Sequence, residues 1–105
     1  MLFILLAKLT DDGLQACLDN PDAFADACSA VDVPGTRILA RYATLGQYDF
    51  VVLVEADGAQ QMSRLSVVLG AHARVHIESM QATAAQLMAE HPEVSAGVEA
   101  TQVEG

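Results

Sequence analysis

Apolar and polar positions change places most sharply where Thr44-Leu45-Gly46-Gln47-Tyr48-Asp49 runs into Phe50-Val51-Val52-Leu53-Val54-Glu55-Ala56. A polar break holding a glycine gives way to five consecutive apolar residues, most of them β-branched or aromatic. Such a run predicts a strand buried on both faces. An earlier apolar run predicts a first strand from about Leu2 to Leu9. Thr10-Asp11-Asp12-Gly13 breaks that pattern, and Gly13–Leu18 predicts a helical turn or two. Asn20-Pro21 predicts a helix start, with Asn20 as N-cap and Pro21 in the first helical position. Phe24, Ala25, Ala27, Cys28 and Val31 supply its apolar stripe, and Val33-Pro34-Gly35 ends it.

Thr36–Thr44 predicts a second strand, with Ile38, Ala40 and Tyr42 on one face and Leu39, Arg41 and Ala43 on the other. Leu45-Gly46-Gln47 joins it in a hairpin to a third strand, Tyr48–Ala56. A second helix is expected over Ala59–Leu69, burying Met62, Leu65, Val68 and Leu69, with Gly70 as C-cap. Arg74–Met80 alternates again and predicts a fourth strand. Its Val75 and Ile77 point one way, and Arg74, His76, Glu78 and Met80 the other. Thr83 to about Glu90 suits a short third helix, stopped at His91-Pro92. Glu93–Gly105 is acidic with few large apolar groups, the composition of a frayed or disordered end.

The expected order is βαββαβ. It is an α+β, ferredoxin-like antiparallel sheet with helices on one face. This divides the chain into an α/β domain over residues 1–82 and a short helix with an acidic tail over 83–105. The third strand then poses a problem of coverage. Phe50, Val52 and Val54 point to one face and Val51 and Leu53 to the other, yet helices cover one face alone. Phe3–Leu6 repeats the difficulty. A bare face of this kind exposes several hundred Å², more than soluble monomers usually carry. A second copy packed sheet to sheet removes it, with roughly 800 Å² buried per partner. The expected assembly is a homodimer or larger even oligomer built as a dimeric α/β barrel.

Composition sharpens this picture. With 105 residues the chain suffices for one domain, and 52% of them are hydrophobic, with a mean hydropathy of +0.31. Fourteen acids against five bases give a net charge of −9. Lys8, Arg37, Arg41, Arg64 and Arg74 are scattered, so neither nucleic acid nor an anionic membrane is an expected partner. The start, Met1–Ala7, lacks a basic leader and a cleavage site, and is far short of the roughly 20 residues that span a bilayer. A cytoplasmic protein is expected. Cys17 and Cys28 fit neither a CxxC nor a zinc spacing and read as small buried hydrophobes.

Gly46-Gln47-Tyr48-Asp49 also carries a resemblance. The chain resembles the GYD-domain proteins, small bacterial proteins named for a Gly-x-Tyr-Asp signature. Their Thr-Asp-x-Gly segment is matched by Thr10-Asp11-Asp12-Gly13, and their Ser/Asn-Pro helix start by Asn20-Pro21. Their signature and the strand after it are matched by Leu45–Ala56. The resemblance covers about residues 2 to 82. It implies the ferredoxin-like, dimeric α/β-barrel fold, and it brings little mechanism, because the family is mostly without assigned biochemistry.

Candidate chemistry is sparse. Tyr48 and Asp49 follow the hairpin turn and are expected on opposite faces of a regular strand. They suit first a structural turn in which Asp49 accepts backbone N–H groups, and otherwise ligand binding at a cleft mouth. His76 and Glu78 share one strand face and are the candidates for proton transfer, although no catalytic residue is assigned. Arg41 is the candidate for an anionic ligand or for pairing with these acids. No metal site and no cofactor are expected: His72 and His76 straddle a helix end, and no third ligand accompanies them. Two functions remain open. The first is a cytoplasmic homo-oligomer binding a small molecule or a partner protein in an accessory or sensory role. The alternative is a small cofactor-independent enzyme of monooxygenase, isomerase or lyase type, working in the barrel cleft. A cleft gathering His76, Glu78, Arg41 and Tyr48 favours the enzyme.

Overall fold

Leu2–Leu9 forms β1, and Thr10 immediately starts helix α1 over Asp11–Asp19. The computed structural model describes residues 1–85. α1 is longer than the turn or two expected, because Thr10 is an N-cap: its hydroxyl accepts the Gly13 N–H at 3.1 Å. Asp11 and Asp12 then lie at the positive end of the helix dipole. Asn20 ends α1 through its own N–H to the Ala16 carbonyl. It also starts helix α2, Ala23–Ala30, by a route different from the one expected. The Asn20 side chain accepts the Asp22 N–H and its carbonyl accepts the Ala23 N–H, so Pro21 lies in the turn ahead of the helix.

Thr36–Ala43 forms β2 and Phe50–Ala56 forms β3. Helix α3 follows over Ala59–Ala73, and β4 over Val75–Ala82. Gly70 therefore lies inside α3 and does not cap it. A Cβ there would stand 3.3 Å from the Val75 carbonyl oxygen, so glycine lets the helix run close beside the start of β4. The cap is Arg74, in the left-handed region at φ 59°. Thr83–Ala85 has no regular structure. The rest of the third helix expected from Thr83, and the tail after it, lie outside the described residues.

The four strands are all antiparallel in the order β2-β3-β1-β4, which is the ferredoxin-like arrangement. One face carries Phe3, Leu5 and Ala7 of β1 with Val52, Val54 and Ala56 of β3, all buried. Phe24, Ala27 and Cys28 of α2 and Met62, Leu65 and Leu69 of α3 close over them. This face is the core.

Among the described residues no helix lies over the other face. Leu2, Ile4 and Leu6 of β1 stand there beside Val51 and Leu53 of β3, half-buried by one another, and Met80 of β4 is exposed. Strand β2 departs from simple alternation. Ile38 pairs with Val54 but Ala40 pairs with Leu53, so Leu39 is an extra residue in a bulge. Beyond it, Ala40 and Tyr42 lie on the open face, and Arg41 joins Ile38 on the helix side. The faces expected from strict alternation therefore change places at residue 39.

Candidate functional site

The hairpin between β2 and β3 is held from within and from the side. Thr44 donates its N–H to the Asp49 carbonyl at 2.8 Å and its hydroxyl to the Tyr48 carbonyl at 2.7 Å. Gly46 sits at φ 133°, a backbone conformation that disfavours any residue with a side chain, although open space surrounds it. Leu45 beside it is fully exposed.

Asp49 ties this turn to the sheet. Its N–H donates to the Ala7 carbonyl at 2.9 Å, and its Oδ2 accepts the Leu9 N–H at 2.8 Å. The carboxylate thus takes a backbone donor at the end of β1. Tyr48 goes the other way. Its phenol reaches across the open side to β4 and donates a short hydrogen bond to Glu78 Oε2. That bond, with some desolvation and the nearby negative charge, pushes the Tyr48 phenol above its ordinary pKa.

Glu78 pairs with Leu6 and His76 with Lys8 across the β1–β4 ladder, so the one acid and the one histidine of this strand stand on the open face. Three of the five residues singled out from sequence, Tyr48, Glu78 and His76, are therefore brought to one side. Asp49 is engaged by backbone. Arg41 stands on the opposite side of the sheet, near Cys28. Burial pushes the Cys28 thiol upward, and the guanidinium offsets part of that rise. His72 belongs to α3 and is separated from His76 by the Arg74 cap.

Sequence reasoning passed over the role of Thr10-Asp11-Asp12-Gly13. The Thr10 N–H and hydroxyl both donate to the Arg74 carbonyl, at 3.1 and 2.8 Å. A Cβ on Gly13 would fall 2.2 Å from the same oxygen. This segment is a clasp joining the start of α1 to the α3–β4 corner. The spacing of Thr and Gly by three was the available signal for a capped helix.

Fold and turn together define a ferredoxin-like α+β protein organised around a Gly-Gln-Tyr-Asp hairpin. The GYD domain family matches residues 3–91, and the chain belongs to that family. A Thermus thermophilus protein named as a glutamine synthetase and cystathionine beta-lyase binding protein is 36% identical over 81 residues, covering 76% of this chain and 85% of that one. Among solved structures, the Mycobacterium tuberculosis leucine response regulatory protein LrpA superposes with a TM-score of 0.58 at 16% identity, over 75% of this chain. A second solved chain, a point mutant, gives 0.59 at 16% identity over 79% of this chain. This chain spans about half the length of those two, 47% and 51%, and the likeness is one of fold. Among the described residues no helix is long and apolar enough to cross a membrane.

Proposed function

We propose that this chain is an accessory binding protein of the cytoplasm, acting as a homodimer or larger even oligomer that docks on a metabolic enzyme. The observation that carries the reading is the open sheet face, where Leu2, Ile4, Leu6, Val51, Leu53 and Met80 stand with no helix of the described residues over them. An apolar surface of this kind is what a second subunit covers. Two copies packed sheet to sheet form a dimeric α/β barrel. The Thermus relative supports the choice of partner, since its name records binding to glutamine synthetase and cystathionine beta-lyase.

Tyr48, Glu78 and His76 then border the barrel interior, where they serve as polar contacts for a small molecule or for the docked enzyme. The rival reading, a cofactor-independent enzyme, looked to a cleft shared by these three and Arg41. Arg41 lies on the other side of the sheet, which favours the binding role.

Light scattering and binding to purified glutamine synthetase test the proposal together. The expected result is a particle of at least twice the 11.1 kDa chain mass that binds the enzyme saturably. Leu53→Glu, in the middle of the open face, is expected to give a folded monomer. A monodisperse wild-type monomer at micromolar concentration would overturn the oligomer. An oligomer that binds neither glutamine synthetase nor cystathionine beta-lyase would overturn the docking role.

A further inference from the structure

At the edge of the sheet the start of α2, the end of β2 and the start of β3 line a half-open cleft of about 180 Å³. Pro21, Phe24 and Ala25 line it from the helix, and Arg41, Tyr42, Ala43 and Phe50 from the strands. Phe24 and Phe50 stack face to face, with ring centroids 3.9 Å apart and planes within 1°. The bulge at Leu39 is what turns Arg41 to the helix side. Among the described residues Arg41 has no acid within ion-pair distance, although the chain carries fourteen acids.

We infer that this cleft binds a small monocarboxylate with an apolar body, its carboxylate on the Arg41 guanidinium and its body against Pro21, Ala25 and Phe50. Size limits the ligand first. A half-open cleft of this volume seats a small organic acid. Charge limits it next. A guanidinium offers two parallel N–H donors that match a carboxylate. A dianion such as phosphate lacks a second cation there and would lose its hydration against apolar walls. Of the two acids flanking the α2 start, Asp26 is engaged by the Asn20 side-chain amide at 3.0 Å, and Asp22 stands at the cap. Their negative charge further disfavours a doubly charged ligand.

The inference is independent of enzyme docking and of oligomeric state. Its test uses the full chain and benzoate as probe, followed by heteronuclear NMR titration, with benzamide and inorganic phosphate as comparisons. Saturable shifts at Phe24, Ala25, Arg41 and Phe50 are expected with benzoate. Benzamide and phosphate are expected to bind at least about tenfold more weakly, since the charge-assisted bond contributes roughly ten- to a hundredfold. Arg41→Gln is expected to lose the same factor while melting at the wild-type temperature. The inference is overturned by absence of saturation up to about 10 mM benzoate, a concentration that would still detect millimolar binding. Equal affinity for benzamide would also overturn it, with no variant needed, as would shifts confined to Tyr48, His76 and Glu78 on the open face.

Discussion

Single atoms decide the most at Arg74. Its carbonyl oxygen receives two hydrogen bonds from Thr10 and leaves no room for a side chain at Gly13. Gly13→Ala drives a Cβ into backbone that cannot rotate away, and is expected to cost about 3 kcal/mol or more. For a domain of this size that lowers the melting temperature by roughly 10 °C or more, readable by calorimetry. Tyr48 gives a residue-level prediction of another kind. Its hydrogen bond to Glu78 raises the phenol's pKa in the folded state. The associated stabilisation is complete below the ordinary phenol pKa and fades as pH climbs through the raised one. Ultraviolet titration is expected to show Tyr48 ionising above the ordinary value, and Glu78→Ala to bring it down. An unchanged Tyr48 titration in that variant would exclude the bond as the cause.

Elements were legible in the sequence wherever periodicity alone set them. The run Phe50–Val54 announces β3, and the alternation of Val75, Ile77 and their polar neighbours announces β4, because side chains on a strand repeat every second residue. What stayed hidden depended on contacts across the chain. Thr10 looks like a breaker until its hydroxyl is seen capping α1. Gly70 looks like a helix end, yet its bare Cα serves the close passage of Val75. Leu39 carries no sign in its own identity that two residues of β2 will face one of β3. The candidate site followed the same rule. His76 and Glu78 were readable as neighbours on one strand, but Tyr48 meets Glu78 only because β1 lies between β3 and β4. Arg41 was assigned by alternation, and the bulge moved it. At this scale Asp49 is the joint that holds the hairpin against β1. Asp49→Ala leaves the Leu9 N–H without its acceptor, and is expected to destabilise by about 1–3 kcal/mol in urea unfolding.

For the whole molecule, the division of labour is between two sheet faces. The helix side contains the buried core and the Arg41 cleft, and the open side carries the half-buried apolar residues on which the proposed oligomer rests. Membership of the GYD family fixes the scaffold. The net charge of −9 acts at this scale too. Like charge on every copy repels and favours solubility, and the proposed sheet-to-sheet contact has to outweigh it. The Leu53→Glu monomer expected above separates these effects, because it adds one charge at the centre of the contact and leaves the core untouched.

The bulge at Leu39 has one consequence for how such chains vary. Because the strand carries a supernumerary residue there, Ile38 and Ala40 already face the sides and oppose the partners they would have if Leu39 were missing. A chain shorter by that one residue keeps Arg41 over the cleft and Tyr42 on the other side. Removing Leu39 is therefore expected to shorten β2 without exchanging inside for outside.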